Sequence, residues 1–146
     1  MGAWSLEQAM AEVRARANQP GFCPRAVVTC ALYSAGGSLL ASGINSRYDA
    51  HVKPCDCNTD PVSTLAGASS TCLAQHAEIT ALLLAAGTGG WSKLHTAVVS
   101  RAPCKSCLVS LLASPVQVLA VSRDWPDRDG VEAVWKAEGR IWRWMD

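Results

Sequence analysis

From residue 75 onward, helical and extended segments alternate without interruption, and that order limits the fold more than any other feature of the 146-residue chain. Residues 75–86 form a mostly apolar run closed by Gly87, which reads as a buried helix, and Thr88-Gly89-Gly90 reads as loop. A strand follows over 94–100, a helix over 104–112, a strand over 116–121 after Pro115, a helix over 129–137 and a last strand over 140–144. Such alternation implies a sheet with helices on both faces. Ahead of it, residues 5–17 predict a helix with Ser5 as N-cap and Leu6, Met10 and Val13 along one face, stopped by Asn18-Gln19-Pro20-Gly21. Residues 26–33 and 38–44 read as a hairpin turned at Ala35-Gly36-Gly37, which makes the sheet mixed. The expected fold is therefore α/β, a three-layer α/β/α sandwich with a mixed five-stranded sheet, with residues 1–146 as a single domain.

Composition narrows the partners. With 49% hydrophobic and 17% charged residues, the chain can bury a sizeable core and does not read as disordered. Thirteen Lys and Arg against twelve Asp and Glu give a net charge of +1, which supplies no basic surface for holding nucleic acid. The longest strictly apolar run, residues 81–86, is too short to span a bilayer, so no membrane partner is expected. The opening MGAWSLEQAM shows no charged stretch leading into an apolar one, and Leu6 stands where a myristoylation pattern needs Ser or Thr. A cytoplasmic location is the expectation. In that setting seven cysteines read as metal-binding or reduced, not as a disulfide framework.

Two short strings carry the chemistry: His76-Ala77-Glu78 and Pro103-Cys104-Lys105-Ser106-Cys107. Cys104 and Cys107 are three apart at the start of a predicted helix, so both sulfurs can face one ion. The positive end of that helix favours the thiolates a metal requires. His76 adds a third ligand, which leaves a fourth tetrahedral position open, as in catalytic zinc sites. A zinc ion there would lower the pKa of a bound water to about 7. Glu78, two residues on from His76, is placed to carry protons without ligating. A lone C-x-x-C is often structural or redox-active, and a lone H-x-E arises by chance. Both strings together, in this order and separated by a strand, resemble the pattern of the zinc-dependent nucleobase deaminases.

Within that superfamily the chain resembles the deoxycytidylate (dCMP) deaminases. Cys23-Pro24-Arg25 followed by a hairpin ending in Ser42-Gly43-Ile44-Asn45 is similar to that family's first strands and its G-Y-N-G turn. The run His76-Ala77-Glu78-Ile79-Thr80-Ala81-Leu82-Leu83 resembles its H-A-E-x-N-A-I-L helix, and Trp125-Pro126-Asp127-Arg128-Asp129-Gly130 its late segment. The resemblance implies hydrolysis of dCMP to deoxyuridylate, with zinc on His76, Cys104 and Cys107 and Glu78 as proton shuttle. It also implies Asn45 at the sugar, the Ala102 carbonyl at the exocyclic amine, Arg25 at the phosphate and Trp125 against the pyrimidine face. The other readings of these residues are a turn for Asn45, a solvated strand-edge cation for Arg25 and packing for Trp125. His76, where free cytidine deaminases usually have Cys, and Ser100-Arg101-Ala102, where polynucleotide deaminases show Ser-Trp-Ser, point away from those relatives. Ile44, Ser46 and Thr80 depart from the family pattern, which leaves open a 5-substituted dCMP as substrate and the family's dCTP and dTTP control. A homo-oligomer, hexameric by resemblance, is implied as well.

Residues 46–72 are polar and irregular, with Pro54 and Pro61. His51, Cys55, Cys57 and Cys72 lie within them, and some family members carry a second, structural zinc in this loop. The alternative is a set of reduced side chains with no metal. For the whole chain the alternatives are a deaminase of cytosine in single-stranded nucleic acid or of free nucleosides, and a noncatalytic zinc-stapled binding domain of the same fold. Glu78 separates the last from the others, because a closed structural site has no use for a proton shuttle.

Overall fold

The hairpin is formed by β1 (Thr29–Ser34) and β2 (Leu39–Ile44), antiparallel and paired from Thr29 with Ile44 to Tyr33 with Leu39. The computed structural model describes residues 4–21, 27–46 and 75–146. The remaining elements are α1 (Leu6–Ala17), α2 (Ala77–Gly87), β3 (Leu94–Val99), α3 (Lys105–Leu112), β4 (Val118–Ser122), α4 (Val131–Ala137) and β5 (Ile141–Met145). One five-stranded sheet runs β2-β1-β3-β4-β5, with β1 antiparallel to β2 and β3, and β3, β4 and β5 mutually parallel. The mixed five-stranded sheet and the α/β class expected from the sequence are both present.

The layers are unequal. Ala9, Met10 and Val13 of α1 bury one face of the sheet against Ala31, Tyr33, Val98 and Ala120. Ala81, Leu82 and Ala85 of α2, Leu108 and Leu111 of α3, and Trp135 of α4 cover the other face. Both crossovers, β3-α3-β4 and β4-α4-β5, advance the strand order in one direction. A constant right-handed connection then puts their helices on the same side. Central strands are buried on both faces, as β1 shows with Cys30 and Leu32 facing one layer and Ala31 and Tyr33 the other.

Several boundaries differ from expectation, each for a non-local reason. The first strand starts at Thr29 because the Val28 N–H donates to Asn45 Oδ1 (2.8 Å), a side chain standing in for a ladder partner. Helix α2 starts at Ala77, not 75, because Gln75 is bridged to Ser46, which leaves His76 as N-cap. Helix α4 starts at Val131, not 129: Gly130 is left-handed (φ 67°), and the Asp129 carboxylate is turned toward α3. A short 3₁₀ turn, Trp91–Lys93, was not anticipated. Among the described residues no helix is long and apolar enough to cross a membrane.

Candidate metal centre

The two chemistry-bearing strings meet where the N-termini of α2 and α3 converge. His76 is the N-cap of α2 and Cys104 the N-cap of α3, with Cys107 one turn into α3. His76 Nδ1 lies 3.2 Å from Cys107 Sγ and 3.5 Å from Cys104 Sγ. All three donor atoms fall within 4.8 Å of one another. Zinc bonds of about 2.0–2.1 Å to nitrogen and 2.3 Å to sulfur, at a tetrahedral angle, separate N from S by about 3.6 Å. The trio therefore fits a zinc ion in spacing and donor chemistry, on three ligands.

Neighbouring contacts hold the two helix ends in place. Ser46 and Gln75 exchange backbone hydrogen bonds, fixing the chain immediately before His76. Gly43 of β2 admits the first turn of α2: a Cβ there would sit 2.7 Å from the Ala77 carbonyl oxygen and 2.9 Å from the Ala81 nitrogen. On the other side, the Lys105 N–H donates to Asp129 Oδ2 (3.1 Å), satisfying an orphan donor next to Cys104. Asp127 does the same for α4, accepting from the Val131 and Glu132 N–H groups. Asp127 and Asp129 thus cap two helices from one connection.

The electrostatics follow from burial and proximity. Hydrogen bonding within the cysteine pair, then to His76, draws the Cys104 thiol far below its usual range, whereas the same pairing and then burial push Cys107 up. His76 is raised, chiefly by its hydrogen bond to Cys104. Glu78 is 3% exposed, and burial raises its carboxyl above the ordinary range, opposed by hydrogen bonding to Cys107 and by the charge of His76.

The structure brings His76, Cys104, Cys107 and Glu78 together. Of the other expected residues, Ala102, Asn45 and Trp125 are described, and the rest lie outside the described part of the chain. Ala102 lies in the short connection from β3 to α3, half-buried against the core. Asn45 braces the start of β1, taking the Val28 N–H on its side chain and giving its own N–H to the Val28 carbonyl. Trp125 follows β4 and is partly exposed, with the Arg101 guanidinium 4.6 Å from its ring centre. Arg25, His51, Cys55, Cys57 and Cys72 lie outside the described residues. Cys30 is fully buried, as expected of a small core residue.

Sequence reasoning passed over three residues that shape this region: Gly43, Asp129 and Arg101. Arg101 was the most legible of them, because it stands three positions before a cysteine ligand in a string already set apart from the Ser-Trp-Ser of other deaminases. With Arg14, Asn18, Val28, Ser100 and Trp125 it lines a cavity at the strand ends.

Comparison with known proteins bears on this centre. The crystal structure of the dCMP deaminase from the cyanophage S-TIM5 in complex with dCMP and dUMP superposes with a TM-score of 0.67 at 18% identity, covering 95% of this chain and 93% of that one. The same phage enzyme in apo form gives 0.64 at 17% identity, with the same coverage of both chains. A cytidine deaminase from Burkholderia pseudomallei gives 0.55 at 20% identity, covering 86% of this chain and 89% of its own. A search of curated protein sequences finds no match. These likenesses establish a shared fold. The family model for the cytidine and deoxycytidylate deaminase zinc-binding region matches residues 4–122, which include every ligand of the centre. With a zinc-compatible trio inside that match, the chain belongs to the cytidine and deoxycytidylate deaminase zinc-binding family.

Proposed function

We propose that the protein hydrolyses dCMP, or a 5-substituted dCMP, to the corresponding deoxyuridylate and ammonia. The observation that carries the catalytic part is the Glu78 carboxyl, buried beside a centre with three protein ligands. Zinc, bound by His76, Cys104 and Cys107, would activate a water for attack on the carbon that bears the amine. Glu78 accepts the first proton from that water on a carboxylate oxygen and delivers it to the adjacent ring nitrogen, then takes the remaining proton of the added hydroxyl and passes it to the amine, which leaves as ammonia while the carbonyl forms. Its burial excludes bulk water from the transfer. The Ala102 carbonyl accepts from the exocyclic amine, Asn45 orients the sugar and Trp125 borders the ring, each in keeping with the family resemblance. A noncatalytic zinc domain is the weaker reading, because it leaves the buried carboxyl without a purpose.

Support for a mononucleotide comes from the cavity with Arg101 on its wall and from a net charge of +1, which gives little general attraction for a polyanion. The S-TIM5 phage relative was crystallised with dCMP and dUMP. Arg25 is proposed as a further phosphate contact, and His51, Cys55, Cys57 and Cys72 as a second zinc site. Residues 1–146 are read as one deaminase domain, cytoplasmic and assembled as a homo-oligomer, for which Leu83, Leu84 and Val109, exposed on the outer helices, offer apolar surface.

The test is a deamination panel of dCMP, CMP, deoxycytidine, cytosine, 5-methyl-dCMP and single-stranded DNA. The expected result is highest kcat/KM on dCMP or its 5-methyl form, with a heavy loss when the phosphate is removed. Higher kcat/KM on deoxycytidine than on every monophosphate, or on single-stranded DNA than on any monomer, overturns the nucleotide assignment. Metal analysis giving one zinc per chain counts against the second site, and two supports it.

A further inference from the structure

The cavity at the strand ends holds a cation, Arg101, that has no ion-pair partner among the described residues. Four charged groups bear on it. Arg14 is engaged elsewhere: its guanidinium donates to Ser122 Oγ and to the backbone carbonyls of Met145 and Asp146, and pairs with Asp124 Oδ2 at 3.4 Å. Asp124, which also lines the cavity, is paired with it. Arg128 adds a second positive charge near Arg101, and Glu78 of the metal centre acts on it with the opposite sign. Arg101 itself makes no hydrogen bond or ion pair among the described residues and rests on the Trp125 ring, 4.6 Å from its centre. Burial, then the neighbouring Arg128 charge, lowers its pKa from the usual arginine value. A partly desolvated guanidinium over an indole, with its fork of donors unspent among the described residues, is prepared for an anion that accepts two hydrogen bonds. The cavity volume, about 220 Å³, lies below the 300–1,000 Å³ typical of sites enclosing a whole drug-sized ligand, so it suits one group of a substrate. Arg101 also shares the β3–α3 connection with Cys104, three residues away, so its distance from the metal centre is fixed by the chain itself.

We propose that Arg101, positioned by Trp125, binds the 5′-phosphate of the substrate and is the residue that makes the site prefer a nucleoside monophosphate to a nucleoside. This rests on the deaminase reading above and adds its specificity element. The phosphate is that of a free monoester, since a net charge of +1 gives little general attraction for a polyanion.

The experiment measures binding of the products dUMP and deoxyuridine by calorimetry, with kcat/KM for dCMP, deoxycytidine and single-stranded DNA, on zinc-loaded wild type and three variants. Arg101→Gln is expected to cut the preference for dUMP over deoxyuridine, and for dCMP over deoxycytidine, by about 30-fold or more. Arg101→Lys should recover only part of it, because an ammonium neither stacks nor forks. Trp125→Leu should lose part of the preference while keeping the charge, which a long-range field effect would not do. Equal losses on phosphorylated and unphosphorylated ligands, or an unchanged preference in Arg101→Gln and Arg101→Lys, overturn the assignment. If dCMP is the best substrate and the preference survives both changes, Arg101 is excluded and the deaminase reading stands. If deoxycytidine is the best substrate but dUMP preference still falls with Arg101→Gln, the substrate reading fails and the phosphate assignment holds. A preference for single-stranded DNA that falls with Arg101→Gln overturns the monoester proposal.

Discussion

Glu78 is the residue on which catalysis and metal binding separate. It contributes no donor to the His76, Cys104 and Cys107 trio, yet its carboxyl is buried beside them. Glu78→Gln keeps the shape and removes the proton-transfer function. The expected outcome is unchanged zinc content and melting temperature, with turnover reduced by about 10²–10⁴-fold. Cys104→Ser should behave in the opposite order, losing zinc first and activity with it, since a hydroxyl is a poor substitute for a thiolate. Metal analysis beside kinetics on the two variants distinguishes these outcomes. A Glu78→Gln protein with near-normal turnover would remove Glu78 from the mechanism. These residues were legible in the sequence because the chemistry is local: C-x-x-C spacing puts both sulfurs on one helix turn, and His76 precedes Glu78 by two positions. Arg101 stood in a string that the sequence set apart, but its contact with Trp125 was not legible, because that ring follows a different strand.

At the scale of elements, the centre depends on how closely two helix N-termini can approach the sheet and each other. Gly43→Ala places a methyl group against the backbone of Ala77 and Ala81 at under 3 Å, so α2 must shift or β2 must bend. The expected cost is about 1–3 kcal/mol of stability, with weaker zinc binding because His76 moves with α2. A melting curve and a zinc-competition titration would check this, and wild-type behaviour in both would show that the approach is not needed. Helix α4 and β5 carry a pH-dependent contact of their own. Glu132 accepts from Trp144 Nε1 at 2.7 Å and pairs with Lys136 Nζ at 3.0 Å, and these hold its carboxyl below the usual range, the indole first. A depressed folded-state pKa means that the unfolded chain takes up the proton first as pH falls. The contact therefore stabilises above the ordinary carboxylate pKa and is lost as pH drops through the lower folded value. Wild type should lose stability more steeply than Glu132→Gln between about pH 5 and 3. Equal slopes would show that the contact does not titrate. Element type was readable along most of the chain from local signals such as the Ser5 cap and the Thr88-Gly89-Gly90 break, although the helix runs one residue further than expected, through Gly87. Boundaries failed where a distant group took over a backbone donor: Asn45 at Val28, Ser46 at Gln75, and Asp129 turned to Lys105 instead of starting its own helix.

For the molecule as a whole, the asymmetry of the layers is the feature with consequences. Three helices share one face of the sheet, whereas the other is covered among the described residues by α1 alone, with Ala9, Met10 and Val13 as its buried contacts. So small an apolar contact leaves α1 dependent on its polar latch. Arg14 supplies that latch, joining α1 to Ser122 at the end of β4, to the carbonyls of Met145 and Asp146, and to Asp124. The same stretch of α1, through Arg14, Ala17 and Asn18, forms one wall of the cavity that Arg101 enters from the other side. Arg14→Met keeps the length and apolar stem of the side chain but removes every donor. The expected loss is about 2 kcal/mol, because several charge-assisted hydrogen bonds disappear while the strand-end carbonyls regain access to water. Amide exchange in α1 should accelerate far more than in α2 or α3, since the loss frees one layer without touching the other. The metal centre lies with α2 and α3, so zinc content should hold. Discrimination for dCMP over deoxycytidine should fall, because a loosened α1 no longer fixes the wall opposite Arg101. Hydrogen-exchange mass spectrometry beside the two kcat/KM values tests both halves. Uniform exchange changes across all helices would mean that α1 is not an independently held layer, and an unaltered substrate ratio would mean that the cavity does not depend on it.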